Sequence, residues 1–237
     1  MIAIDVLASS SSGNCYRVTD GSTPLLLECG VGLSVIQRAA RASLFEVLRH
    51  EGCLISHEHQ DHCKSVETLM HFGVDCYMSQ GTAGALGVTG HRVRVVQAKK
   101  QFHVGSWTVL PFNTEHDAAE PLGFLLVSGG EKLLYLTDSY YCRYNFVGLS
   151  HIMVECNYAR DILDRNVESG AVPAVMAQRL RRSHFSLGHV KGFLRANNLS
   201  AVREIHLIHL SDGNSDAARF KREIQELTGK PVYVAER

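Results

Sequence analysis

Residues 53–65 read CLISHEHQDHCKS, and four side chains able to bind a metal, His57, His59, Asp61 and His62, fall within six positions. Imidazoles and carboxylates destabilise a fold when they are buried unpaired, so such a cluster behind a short apolar run needs a chemical reason. In extended backbone alternate residues face the same way, which points His57 and His59 together and Glu58 away. Asp61 and His62 come where the chain must turn into the next element, and so can face a second point nearby. One strand end can thereby serve two adjacent cations. Neutral imidazole and carboxylate suit Zn²⁺, with Mn²⁺ or iron as alternatives. A polar surface turn is the plain alternative, but four donor types in the pattern H-x-H-x-D-H are specific.

Four residues do not complete two metal sites, so further donors are expected downstream. His116 follows TVLPFNTE, Asp138 follows KLLYLT and His209 ends EIHLI, each behind an apolar run. Strand ends along one edge of an α/β sheet are where such proteins gather functional groups. The simplest allocation gives His57, His59 and His116 to a first ion and Asp61, His62 and His209 to a second, with Asp138 bridging. His206 stands at odd spacing from His209 and should face elsewhere. His50, His71, His91, His103 and His151 lack partners in the sequence and read as ordinary polar residues.

The elements that must position these donors follow from periodicity. Strands are predicted at 2–7, 16–18, 24–28, 53–56, 75–78, 92–96, 106–111, 122–127, 132–137, 151–155, 204–210 and 231–235. A helix is predicted over 33–47, with Leu33, Ile36, Ala40, Leu44 and Val47 on one face. Others are expected just after the histidine cluster, at 173–182 and 186–197, and at 216–228 with Ala217, Phe220, Ile224 and Leu227 on one face. Many central strands with helices outside imply a layered α/β domain, and no linker or repeat divides residues 1–237.

Composition narrows the function classes. The chain has 237 residues, 45% of them apolar, and its 24 lysines and arginines equal its 24 aspartates and glutamates. Zero formal charge advertises no polyanion-binding field, and HRVR at 91–94, KK at 99–100 and RLRR at 179–182 read as solvated surface. No run is apolar enough for a membrane span or signal peptide, so a cytosolic location is expected. Seven cysteines, never closer than ten positions, make neither CxxC motifs nor a disulfide framework. They read as reduced, mostly buried thiols.

At HxHxDH and the downstream His, Asp and His the chain resembles the metallo-β-lactamase superfamily over nearly its whole length. The resemblance implies a four-layered αββα sandwich with a two-metal site whose ligands are the seven donors named above. It departs from many members in lacking a glycine soon after the motif, where it reads CKSVE at 63–67. ASSSSGNCY at 8–16, SHFS at 183–186 and HLSDGNSD at 209–216 resemble a nuclease-like branch linked to cell-wall regulation. LLLECG (25–30), EHDAAEPLGF (115–124), TDSYY (137–141) and ECNY (155–158) look closer to phage and prophage anti-Pycsar proteins. Those are phosphodiesterases that open cyclic CMP and cyclic UMP and so silence a host defence; relatives also imply a homodimer.

The expected reaction is therefore hydrolysis of a small cyclic phosphodiester by two divalent ions. His184 in RRSHFSLGH is the candidate general acid, as the comparable histidine in related phosphodiesterases is, with His189 as rival. Asp61 is expected to orient the nucleophile as well as to bind metal. Asn14, in the SSSSGN turn, and Asn157, after HIMVEC, are candidate substrate contacts. Tyr140, Tyr141, Tyr144 and Phe146 could stack a base, although core packing is expected for at least two of them. The alternatives are a nuclease acting on RNA or DNA, a lactam or thioester hydrolase, and a non-catalytic ligand sponge. A polymer substrate calls for a basic groove, and a structural zinc site would close with four ligands.

Overall fold

A computed structural model of the chain describes residues 1–39 and 52–235. The chain divides into two compact units, one of Met1–Asn113 with Ala118–Glu131 and one of Thr114–Asp117 with Lys132–Ala235. The second half of the helix predicted over 33–47, and His50, lie outside the described residues.

In the first unit, alternating apolar residues form the antiparallel strands β1 (Ala3–Ala8), β2 (Cys15–Thr19) and β3 (Pro24–Leu27). Val18 pairs with Ile4 on one side and with Leu25 on the other. The next strands, β4 (Gly52–Leu54), β5 (Cys76–Met78) and β6 (Val93–Val95), run parallel and extend the sheet in the order β1 to β6. Parallel neighbours need crossovers. Two short helices, α2 (Gln60–Cys63) and α3 (Val66–His71), connect β4 to β5, and α4 (Gln80–Leu86) connects β5 to β6; α1 (Leu33–Ala39) follows β3.

Leu26, Ile36, Ile55, Leu69 and Met78 pack with Cys15, Cys29, Cys53, Cys63 and Cys76 in one cluster. All seven cysteines are free, and burial raises the Cys63 thiol to about 12, so it stays protonated and behaves as a small hydrophobe. A meander of β7 (Phe102–Val104), β8 (Trp107–Asn113) and β9 (Leu122–Ser128) completes this unit.

The second unit is built on four parallel strands, β10 (Glu131–Leu136), β11 (His151–Glu155), β12 (Glu204–Ile208) and β13 (Val232–Val234). Parallel strands covered on both faces are apolar throughout, and every residue of β11 is buried. Around them the chain forms α5 (Arg160–Glu168), α6 (Ala174–Ser183), α7 (Leu187–Ala196) and α8 (Ala217–Thr228). Because the strands run the same way, Asp138, Glu155 and His209 stand at their C-terminal ends, with Leu136 paired to Val154 and Glu155 paired to Ile208.

The mixed α/β architecture agrees with the layered class expected from periodicity. Three elements escaped that reading. Helix α4 carries Gly81 and Gly84, which lower helix propensity, yet Ser79 caps its start and Gly87 adopts the left-handed conformation at its end. Helix α5 has no side-chain cap and only Leu163 buried. Strand β7 has three residues, too few to show a period. Among the described residues no helix is long and apolar enough to cross a membrane.

One turn ties distant segments of the first unit together. The Asp20 carboxylate accepts hydrogen bonds from the Ser22 and Thr23 amides (both 2.9 Å) and from the Ser106 and Ser128 hydroxyls (both 2.5 Å). Burial opposes its ionisation, but these four donors outweigh burial and hold the carboxyl well below the usual carboxylate range. Its folded pKa lies below the unfolded value of ~3.9, so its stabilisation is present above that pH and is lost as pH falls toward the folded pKa. Asp20→Asn should therefore lower the melting temperature at pH 7 and flatten its fall between pH 5 and pH 2. Thermal melts of both proteins across that range check this, and parallel curves would contradict it.

Candidate metal centre

In the first unit the histidine motif leaves β4 in extended backbone and turns at once into α2. The expected pairing is present, with His57 Nε2 3.1 Å from His59 Nδ1. His62 joins them, its ring centroid 4.2 Å from that of His57, and the Asp61 carboxylate lies 3.3 Å from His62 Nε2. Glu58 turns away and accepts from the Ala119 amide at 2.7 Å. His57 and His62 are fully buried.

Several groups hold this loop. Ser56 Oγ lies 2.8 Å from His57 Nδ1, and the Ser56 amide donates to the Glu28 carboxylate at 3.2 Å. Asn14, in the serine-rich turn, receives the Tyr16 hydroxyl on Oδ1, and its Nδ2 lies 3.3 Å from the Asp61 carbonyl and 3.5 Å from His62 Nε2. Asn14 thus braces the motif. Gly30 approaches the same turn so closely that a Cβ there would stand 1.7 Å from the Asp61 carbonyl oxygen.

The second unit gathers His116, Asp138, His184 and His209, together with Glu155. The ligand atoms of Asp138, Glu155, His184 and His209 all lie within 4.8 Å of one another. Asp138 uses both carboxylate oxygens, Oδ1 at 2.9 Å from His209 Nδ1 and Oδ2 at 3.4 Å from His116 Nε2. His116 Nδ1 lies 2.8 Å from the Ser183 carbonyl, which can only accept. The hydrogen-bond network therefore assigns its proton to Nδ1 and leaves Nε2 with a lone pair, the tautomer a metal ligand needs. Burial lowers the pKa of His116, with Asp138 partly offsetting this, so the ring is neutral near pH 7.

Glu155 is fully buried and receives four donors. The Ser139 and Phe185 amides reach Oε2 at 3.1 Å each, while His184 Nδ1 at 2.5 Å and His209 Nδ1 at 3.2 Å reach Oε1. Burial by itself would raise its pKa, but the His184 charge and these hydrogen bonds hold it below the ordinary glutamate value. For His184, burial pulls the pKa down and the Glu155 and Asp138 carboxylates outweigh it, leaving the pKa raised. Glu155 gave no signal in the sequence beyond ending an apolar strand. Glu28 was equally silent.

Asn157 and His206 are placed differently from the cluster donors. The Asn157 side-chain amide donates to the His209 carbonyl at 3.0 Å, and its backbone amide donates to the Phe185 carbonyl at 2.9 Å. It ties the His184 and His209 segments together. His206 faces Glu204 at 3.1 Å and stacks on Tyr233. The aromatic run departs from the core role expected for two of its members, since Tyr140 and Tyr141 are exposed and Tyr144 and Phe146 only half-buried.

The donor chemistry fits divalent ions: His116 Nδ1 is held by the Ser183 carbonyl and His57 Nδ1 lies against Ser56 Oγ, beside the Asp61 and Asp138 carboxylates. The close approach at Gly30 makes a sharp prediction. Gly30→Ala should cost ~3 kcal/mol or more, because the clash is with backbone, and should lower bound metal. Gly32→Ala, where a Cβ meets nothing within 4 Å, should leave both unchanged. Melting temperature and metal content of the two variants test this.

Comparison with known proteins accords with this geometry. A family model described as the beta-lactamase superfamily domain matches residues 23–210. Exodeoxyribonuclease WalJ of Streptococcus pneumoniae serotype 2 (strain D39 / NCTC 7466) is 26% identical over 231 residues, covering 89% of this chain and 82% of the relative. The metallo-beta-lactamase fold protein YhfI from Bacillus subtilis superposes with a TM-score of 0.75 at 14% identity, covering 100% of this chain and 97% of the other. Zn²⁺-bound PqqB from Methylobacterium extorquens gives 0.73 at 14% identity, covering 100% and 98%. The two structures show the fold, and the family match carries the rest: this chain belongs to the metallo-β-lactamase superfamily and is a metal-dependent hydrolase of that family.

Proposed function

We propose that the protein is a two-metal phosphodiesterase that opens cyclic nucleotides such as cyclic CMP and cyclic UMP. The observation that carries this reading is the second unit's pairing of a buried carboxylate, Glu155, with a histidine, His184, beside Asp138. Donation from Nδ1 to Glu155 leaves His184 Nε2 to carry a transferable proton. A phosphodiester needs that group, because its leaving alkoxide must be protonated.

The ligand allocation belongs to the same proposal. His57, His59 and His116 would hold one ion and Asp61, His62 and His209 the other, with Asp138 as the proposed shared ligand. Asp138's two oxygens already engage different histidines, which supports a bridging role. Two Zn²⁺ ions, or Mn²⁺ in their place, supply Lewis acidity toward phosphoryl oxygens and make water acidic enough to be the nucleophile near neutral pH. The chain's own residues do the remainder. Asp61 would orient the attacking water, which releases one proton to solvent as its oxygen forms a new bond to phosphorus. The opposite P–O ester bond breaks, and the alkoxide takes the proton of His184 Nε2. Asn14 and Asn157 brace the segments that present these groups, and both are proposed as substrate contacts.

The charged surface supports a small substrate. Four arginines of the short basic runs are paired with acids: Arg92 and Arg94 with Asp75, Arg179 with Asp117, and Arg181 with Asp164. Neutralised arginines make a poor track for a polymer backbone. Opening a cyclic pyrimidine nucleotide would silence a host Pycsar-type defence, and a homodimer in the cytosol is the form proposed to do so. A second reading, a nuclease acting on DNA or RNA, is favoured by the name of the exodeoxyribonuclease relative.

Turnover of cyclic CMP, cyclic UMP, end-labelled DNA and RNA by zinc-loaded protein separates the two readings, and products from polymers alone would overturn the first. His57→Ala should lose metal and activity together. His184→Gln should keep its metal and lower kcat by roughly 10²–10⁴-fold. The Glu155 and Asp138 carboxylates raise the pKa of His184, so the rate should fall as pH rises through that pKa. Glu155→Gln removes the larger of the two carboxylate influences that raise it and should move the alkaline limb to lower pH. A pH–rate profile with an unmoved limb would show that another group supplies the proton.

A further inference from the structure

One cavity of the second unit is not used by the chemistry above. It has a volume of about 360 Å³, within the size range of small-ligand sites. One wall is the face of α7 that carries Gly188, Gly192 and Ala196, and Phe185 and Phe193 flank it. The opposite wall is the loop after Asp138, with Tyr141, Cys142, Arg143 and Asn145.

Three features make this a site for a flat ring. First, glycine and alanine at every fourth position leave the helix face bare, and a Cβ on Gly192 would meet nothing within 4 Å. Second, Tyr141 is 57% exposed although it lines the cavity, so a large aromatic face is left uncovered. Third, His189 also lines the cavity, and its buried Nδ1 has no hydrogen-bond partner among the described residues. A buried ring nitrogen without a partner costs free energy that a ligand's polar edge would recover.

The walls are held in place. The Phe146 amide donates to Asn197 Oδ1 at 2.7 Å, and the Phe146 ring meets Phe193 at a centroid distance of 6.4 Å. Arg143 pairs with Glu115, and the Tyr140 amide donates to the Glu115 carbonyl at 3.1 Å. Both walls are carried on segments that also carry catalytic groups, Phe185 following His184 in the chain and Tyr141 standing three positions after Asp138.

We infer that this cavity seats the nucleobase of the substrate, with the ring between Tyr141 and the bare face of α7 and its polar edge toward His189 and Asn145. The inference rests on the nucleotide reading of the site and assigns its specificity. The base belongs either to a cyclic mononucleotide or to the terminal residue of a strand, and the chemistry of recognition is the same for both.

The test is calorimetric titration of zinc-loaded protein with cytidine 5′-monophosphate and with ribose 5-phosphate. The base-bearing ligand should bind at least about tenfold more tightly, as expected for one stacked base. Gly192→Leu fills the bare face, and Tyr141→Ala removes the opposite one; each should weaken the nucleotide about tenfold while leaving ribose 5-phosphate and zinc content unchanged. Ala196→Leu serves the same purpose should Gly192→Leu fold poorly. Equal binding of the two ligands, or variants that alter self-association but not nucleotide affinity, would overturn the inference. Kinetic arms with cyclic CMP and a deoxydinucleotide name the source, as the one whose KM rises in Gly192→Leu. Nucleotide binding without turnover of either would instead fell the hydrolytic reading and leave the cavity assignment standing.

Discussion

A single ionised carboxylate deep in the protein organises the second unit. Glu155 has no access to water, so its charge is tolerable only while every oxygen is supplied with donors. The four that supply it come from three segments: the Ser139 amide after β10, the Phe185 amide and His184 after α6, and His209 after β12. Satisfying Glu155 therefore fixes where the chemistry stands. Removing any one donor leaves part of a buried charge uncompensated, the kind of loss that costs several kcal/mol. The same carboxylate sets the proton on His184 Nδ1, so structural and catalytic demands meet in one group.

The backbone is strained at the same places. Glu28, Asp138 and His209 adopt positive φ of 63°, 38° and 54°, a region that residues other than glycine avoid. Each stands just past a strand, at the end of β3, β10 or β12. Such conformations cost ~1–3 kcal/mol each and persist only where the surroundings over-determine them. The surroundings do so here. Asn157 holds the His209 carbonyl, Thr137 Oγ1 donates to Asp138 at 2.7 Å, and the Glu28 amide donates to the Leu54 carbonyl at 2.9 Å. Strand direction brings each of these residues to the C-terminal end of its own strand.

In the first unit the counterpart is close contact rather than charge. The segment after β3 passes so near the Asp61–His62 turn that only glycine fits at 30, and three backbone bonds lock the approach: Asn14 to Asp61, Cys29 to His62, and Gly30 to Asn14. The family's usual glycine after the motif is absent, and CKSVE instead begins α3 with Val66 buried and the Ser65 hydroxyl donating to the Val31 carbonyl at 2.6 Å. The local packing is thus solved by a different residue set, with the histidines still gathered.

How much of this was legible in the chain depended on the range of the interactions. The motif at 57–62 was readable because its donors are neighbours, and strand alternation alone pairs His57 with His59. The long strands and the amphipathic α8 were readable for the same reason, since periodicity is local. Short elements such as β7, and α4 with its internal glycines, carry too little pattern to be seen. Glu28 and Glu155 were invisible because each looks like the last residue of an ordinary buried strand, and their partners lie 16 to 54 positions away in the chain. Which aromatics after Asp138 are exposed and which half-buried was likewise not legible, because burial depends on what packs across from a residue. The residue types and spacing by themselves determined the donors and the class of chemistry. Only the tertiary structure decided which carboxylate steadies them, since parallel register and long-range hydrogen bonds leave no local pattern.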